Sequence, residues 1–413
     1  MYWIRLALIL LSGLLTGLSN VLAEDAGFLS VESWGKVGLE SRIYPSDPLY
    51  PLQNNNENSV FFEPTLYIES QSGASFSLKS FVQFDPSDTH RSRIEIKEAY
   101  WHNFGYVGDT EWDLRIGINE VFWGTVETNN PVNIVNQTDL LRYPDGKQKL
   151  GQAMLQGTLT NSWGSIDVYL LPFHRPRIFP SQKGRLRTAF PVASDDNSIE
   201  YEHARGDRHI DFATRYNQSV DLLDFALSYF SGTSREPLLI PSGNQTLRQH
   251  YNQIRQIGLE LQYTYDALLA KAEVINRTGV NTLGSKKSSY NASVLGAEYA
   301  FYGIFDSDTD ATLIVEYNND SREKHATSAF QNDYFLAMRF ALNDVPDTNF
   351  TFSLSNDLDY DTQSLNFEFD RRLTDSITLE LEAFKLLRVD ERDVALWPIR
   401  DDNYLNFRLS YSY

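Results

Sequence analysis

The end of the chain, LNFRLSYSY at 405–413, alternates without a break. Leu405, Phe407, Leu409, Tyr411 and Tyr413 fall on one face, and Asn406, Arg408, Ser410 and Ser412 fall on the other. Period-two alternation marks a strand whose two faces meet different surroundings. It constrains the fold because it recurs along the chain. FTFSLS sets Phe350, Phe352 and Leu354 against Thr351, Ser353 and Ser355. LNFEFD sets Leu365, Phe367 and Phe369 against Asn366, Glu368 and Asp370. ITLELEA sets Ile377, Leu379 and Leu381 against Thr378, Glu380 and Glu382. Upstream, Trp112, Leu114, Ile116 and Ile118 alternate with Asp113, Arg115 and Gly117.

This pattern predicts strands near 30–44, 58–70, 74–85, 93–102, 111–118, 152–160, 163–172, 208–217, 221–231, 254–266, 267–277, 288–300, 309–319, 331–341, 347–357, 360–371, 374–386 and 402–413. Most have the length needed to cross a bilayer at a tilt. The connections sort into two sets. Short ones at 71–73, 161–162, 218–221, 265–267, 343–347 and 373–376 alternate with mostly longer ones at 45–57, 119–151, 173–207, 232–253, 278–287, 320–330 and 387–401. A soluble sandwich has no reason to gather its long loops at one end. A transmembrane antiparallel β-barrel does, with short turns inside the periplasm and long loops outside. The expectation is all-β, a barrel of about 18 strands (16–18), with two loops able to fold into the lumen. Closure satisfies every backbone group in lipid, so residues 24–413 form one domain, and the last strand should pair with the first. Leu405, Phe407, Leu409 and Tyr411 should face lipid, Asn406 and Arg408 should face water inside, and Tyr413 should sit at the interface.

Composition agrees. Residues 1–23 carry Arg5, the apolar stretch LALILLSGLL and small residues before Glu24, as a secretory signal peptide does. The sequence contains no cysteine, so an exported chain of 413 residues needs another source of stability. It holds 23 Tyr, 25 Phe and 7 Trp, yet its mean hydropathy is −0.38. Barrels hide hydrophobicity in alternation in this way. The net charge of −19 excludes a nucleic-acid binder and an anionic-membrane binder. The expected location is the outer membrane of a Gram-negative cell, with lipid and lipopolysaccharide as surroundings.

Function then belongs to the lumen and the long loops. Alternation directs Arg115, Glu316, Arg339, Glu368, Asp370, Glu380, Glu382 and Arg408 inward, since Arg or Lys at the lipid midplane costs roughly 2–4 kcal/mol. A barrel of about 18 strands is too wide for its own side chains to fill. Loop 119–151 holds Asn119, Phe122, Trp123, Val132, Ile134, Val135, Leu140 and Leu141, too many apolar residues for a free loop. It either folds inward and narrows a channel or braces the barrel mouth. Loop 173–207 carries Arg175, Arg177, Lys183, Arg185 and Arg187 with no acid among them. Three readings are open: a basic constriction facing Glu368, Asp370, Glu380 and Glu382, a surface held to lipopolysaccharide phosphates, or ion pairing with SDDNSIEYE nearby.

DLRIGINEVFWG followed by NPVNIVNQTD resembles the corresponding segment of proteobacterial outer-membrane porins related to the alginate-export channel. The residues that carry the likeness are Arg115, Gly117, Phe122, Trp123, Gly124, Asn130, Pro131, Asn133, Asn136 and Asp139. Ile118 and Asn119 depart from the basic residue and Gln that often follow the Gly in that family. The resemblance implies a monomeric barrel, diffusion-driven passage, no cofactor, and a closing strand read by the barrel-assembly machinery. The expected function is a porin-like channel for small polar or charged solutes, with anionic saccharides and organic acids as candidate classes. The rival from another class is a plugged barrel whose outer loops bind a partner or surface polymer. Catalysis is not expected, because the seven His are scattered with no nucleophile motif around them. DSDTD at 306–310 opens like a calcium loop but has Ala311 and Tyr317 where Gly and Glu are needed, so it reads as an aspartate-rich turn.

Overall fold

The computed structural model describes residues 28–142, 146–243, 245–281 and 287–413. The expected signal peptide at 1–23 lies outside them, as do residues 282–286 of the connection at 278–287.

In chain order the strands are β1 (Phe28–Ile43), β2 (Asn56–Ser70), β3 (Ser75–Phe84), β4 (Arg93–Val107), β5 (Thr110–Asn119), β6 (Gln152–Asn161) and β7 (Gly164–Leu171). Next come β8 (Ile199–Tyr201), β9 (Asp211–Val220), β10 (Leu223–Thr233), β11 (Leu238–Pro241), β12 (Leu247–Tyr251), β13 (Gln253–Tyr265) and β14 (Leu268–Asn281). The last are β15 (Lys287–Phe301), β16 (Asp310–Asp320), β17 (Asn332–Ala341), β18 (Asn349–Asp357), β19 (Gln363–Arg372), β20 (Ile377–Arg388) and β21 (Tyr404–Ser412). Eighteen of them form one sheet, each antiparallel to the next along the chain, and β21 returns to β1. This is a closed antiparallel barrel of eighteen strands. β8, β11 and β12 form a separate small sheet among the long loops.

The closing ladder runs from Lys36↔Ser412 to Ile43↔Leu405. Beyond it, Gly35 and Tyr413 exchange both backbone hydrogen bonds, at 3.3 and 3.1 Å. A Cβ on Gly38 would meet the Leu409 carbonyl oxygen and the Phe61 ring at 2.5 Å each, so the seam needs glycine there. Among the described residues every strand of the barrel sheet is paired on both sides, which is the condition for strands in lipid.

Burial is inverted relative to a soluble protein. On β21, Leu405, Phe407 and Tyr411 are 53%, 43% and 46% exposed, while Asn406, Arg408 and Ser410 are 7%, 3% and 3% exposed. The same holds around the ring. Leu39, Ile116, Leu159, Leu227, Ile257, Leu295 and Phe352 are exposed, whereas Glu40, Gln156, Ser228, Gln256 and Glu316 are buried. Apolar area on this scale, left facing outward, is foreign to soluble monomers. Among the described residues no helix is long and apolar enough to cross a membrane.

The connections divide as the sequence indicates. At one end lie 71–74, 108–109, 162–163, 221–222, 266–267 and 373–376; at the other lie 44–55, 120–151, 172–210, 234–252, 321–331 and 389–403. Gly108, Asp221 and Asp266 take positive φ, as two-residue hairpins require. The turn at 306–310 is tied by Asp310, whose carboxylate accepts from Gly303 N at 2.9 Å and Asn343 Nδ2 at 2.9 Å.

Two expectations need correction. β4 continues to Val107, well past 102, because Asn103 to Val107 still pair with β5 down to the two-residue turn. The loops at 173–207 and 232–253 are not irregular throughout. They pair with each other through β8, β11 and β12 and a parallel bridge between Val192 and Leu247. Pairing between distant loops leaves too short an alternation to be read in either one.

Candidate functional site

Loop 120–151 enters the lumen. It leaves β5 and buries Trp123, Val132, Ile134 and Val135 against inward residues of β6, β7, β9, β10, β13 and β14, including Met154, Tyr169, Ala213, Phe230 and Ile275. Its tip is held by three wall carboxylates. Gly124 N donates to Glu260 at 3.1 Å. Thr125 N and Val126 N donate to Glu273 at 2.6 and 3.2 Å. Glu127 N and Thr128 N donate to Glu316 at 2.7 and 2.9 Å, and the Thr128 hydroxyl adds a 2.6 Å bond. These glutamates belong to β13, β14 and β16, so the tip spans the lumen from its root on β5. Gly124 has φ 129°, and a Cβ there would strike Asn130 and Glu273 at 2.7 Å. Hydrogen bonds from N–H to ionised carboxylate are among the stronger kind, which is how polar wall residues can fix a loop inside water.

The second leg of the loop seals the wall of β1 to β4. Arg91 lies between Glu40 (2.5 Å) and Asp85 (2.7 Å), and Arg42 pairs with Glu57 at 3.2 Å. Arg408 pairs with Glu40, Arg142 with Glu63, and Arg93 with Asp139. Charges buried this deeply persist only when paired, and here opposite signs alternate across the wall.

The basic run does not meet Glu368, Asp370, Glu380 and Glu382; its partners lie elsewhere. Arg175 pairs with Glu95 and donates to Gly151 O at 2.9 Å. Arg177 donates to Gln137 at 3.2 Å and to Arg235 O at 3.0 Å. Arg185 pairs with Asp402 at 2.7 Å and lies over the Tyr44 ring. Arg187 donates to the Thr188 and Ala189 carbonyls at 2.9 Å and lies over Tyr50. Lys183 is exposed. The run is drawn across the mouth by carboxylates of other loops and strands, which a reading confined to the best alternating strands could not reveal. His174 anchors its start. It is buried between Tyr201 and Tyr251, with a ring nitrogen 3.1 Å from Ser234 O. Burial, reinforced by Arg235, holds its pKa well below the usual histidine value.

A cavity of about 280 Å³ lies along β16 to β21. The strand register lays out its wall as rows. Arg339, Thr351, Glu368 and Glu382 are successive cross-strand partners. One step outward, Ala337, Ser353, Asn366, Phe384 and Tyr404 form the next row. Above that stand Phe335, Ser355 and Ser364. Facing them from the loops are Glu127, Thr128, Lys147 and Leu186. Glu127 is pinned between Arg339 at 3.0 Å and Lys271 at 3.4 Å.

No family model matches this chain. No curated protein matches it. Among solved structures, a triple variant of Rhodopseudomonas blastica porin aligns at 10% identity with a TM-score of 0.44, covering 93% of this chain and 100% of the porin. A double variant of Rh. blastica porin aligns at 9% identity with a TM-score of 0.43 and the same coverage. The barrel described above rests on this chain's own strand ladder, not on these alignments.

Of the residues expected at a constriction, Arg339, Glu368 and Glu382 line the cavity. Asp370 and Glu380 are cross-strand partners nearer the short-turn end. Arg408 is buried against Glu40, with Glu380 at 3.7 Å. Arg115 sits at mid-strand on β5, opposite His102 and Gln156, beside Asp113 and over the Tyr100 ring. Asn119 and Trp123 are structural: Asn119 donates to Gln156 at 3.0 Å, and Trp123 packs edge-on to Tyr169. Glu127, Ser353, Asn366, Phe384 and Tyr404 were not singled out. The alternation of FTFSLS and LNFEFD already marks Ser353 and Asn366 as inward, but attention to charge alone passes over them.

Proposed function

We propose that the chain is an outer-membrane channel for passive diffusion of small polar solutes. The observation that carries this reading is the lumen itself. The loops and ion pairs seal one side, and a lined cavity remains on the other, inside a barrel whose apolar residues face outward. The mature protein would begin near Glu24, cross the outer membrane with its long loops outside, and rely on barrel-assembly machinery to insert. The passage joins Arg339 and Lys147 with Glu127, Glu368 and Glu382, so its lining is mixed in sign. Anionic saccharides and organic acids, the candidate solute classes, would meet both signs of charge there.

Planar-bilayer recording of the purified protein tests this. The reading expects stable single-channel currents in KCl, and a reversal potential in a salt gradient that moves toward cation preference in Arg339→Glu. A silent barrel would support the other reading, in which the inserted loops form a plug and the outer loops dock a partner.

A further inference from the structure

The side of the passage formed by β18 and β19 carries small neutral groups between two aromatic surfaces. Ser353 faces Asn366 and Ser355 faces Ser364 as direct cross-strand partners. Neighbouring strands lie about 4.8 Å apart and alternate residues about 6.8 Å apart along a strand. That spacing makes a grid of donors and acceptors whose members can each reach a different hydroxyl of one sugar ring or of two linked rings. Among the described residues the hydroxyls of Ser353, Ser355 and Ser364 make no hydrogen bond within the protein. Asn366 Oδ1 is buried and accepts nothing within the protein, and its Nδ2 donates to Glu368 at 2.8 Å, a bond that a solute hydroxyl can replace. Serine hydroxyls donate and accept, and the amide does both from separate atoms. On one side of the grid stands Phe335, the partner of Ser355. On the other, Phe384 and Tyr404 stack with centroids 5.6 Å apart, and the Tyr404 hydroxyl is held by Glu382 at 2.6 Å. Arg339, in the row beside the grid, is paired with Glu127.

We propose that this grid is a binding site for neutral polyhydroxylated solutes of mono- to disaccharide size. This rests on the channel reading above and names its solute class. A sugar presents both kinds of surface found here: a rim of hydroxyls that each donate and accept, and C–H faces that lie on aromatic rings. Pockets that combine apolar walls with a few placed polar groups orient ligands in this way. The grid itself carries no charged group, so a charged solute gains nothing from it that a neutral one does not.

The test is current block of the full-length mature barrel in KCl, with maltose, glucuronate and a polyethylene glycol of matched size as probes. Maltose is expected to block at lower concentration than the polymer or glucuronate. The double variant Ser353→Ala with Asn366→Ala should weaken maltose block by about 10-fold or more, since each lost neutral hydrogen bond is worth about 1 kcal/mol. Phe384→Ala should weaken it independently of the polar pair. Equal block by maltose and polymer, stronger block by glucuronate, or variants that block like the parent would overturn the inference while leaving a conducting channel. Absence of KCl current would overturn the channel reading itself, and the inference with it.

Discussion

At the residue scale, a few side chains have sharply defined tasks. Glu316 accepts three hydrogen bonds from the loop tip while itself 1% exposed. Glu316→Ala would strand two buried N–H donors, each costing about 1–3 kcal/mol. Tip docking should therefore weaken by several kcal/mol, seen as faster hydrogen exchange at 124–128 with the barrel ladder unchanged. Gly38 has a different task. In Gly38→Val the added carbons meet the Leu409 carbonyl, which cannot move without opening the seam with β21. The expected result is loss of the compact, heat-modifiable form on gel electrophoresis. Retention of that form would show that the seam tolerates a side chain there.

At the element scale, His174 links the loop at 172–210 to the small sheet. Its pKa is depressed by burial, so the folded loop binds fewer protons than the free one. Sign follows directly: docking is at full strength above the free histidine range near 6.5 and weakens as pH falls below it. Limited proteolysis of 172–210 should accelerate in mild acid, and His174→Gln should flatten that dependence. A profile unchanged by the substitution would place the acid sensitivity elsewhere. The strands were legible in the sequence because each alternates over enough residues for the two faces to differ. The closing strand read correctly down to Asn406 and Arg408 inside. The loops were not, because their partners are distant: Arg185 with Asp402 and Arg175 with Glu95 are pairs that no local spacing encodes. The apolar content of 120–151 did reveal that the loop must bury most of its apolar residues, although Phe122 stays 60% exposed. The three glutamates that receive its tip each sit in a different strand, so their convergence appears only once the barrel closes.

At the scale of the whole molecule, the barrel divides into a sealed side and an open side. On the sealed side Arg42, Arg91, Arg93, Arg142 and Arg408 meet Glu40, Glu57, Glu63, Asp85 and Asp139 in a continuous buried lattice. On the open side β17 to β21 present mostly small or neutral residues to the cavity. The cavity wall and the ion-pair lattice thus lie on largely different strands that meet at β21, so the cavity can be altered at β18 and β19 without opening the seam. Single-channel conductance of Ser353→Trp against the parent protein tests this division most directly. Ser353 sits in the middle row of the open wall, and an indole there would fill much of a cavity of about 280 Å³. The account predicts a conducting parent and a correctly folded variant whose conductance falls by most of its value. A parent that conducts equally well with Trp at 353, or one that does not conduct at all, would contradict it.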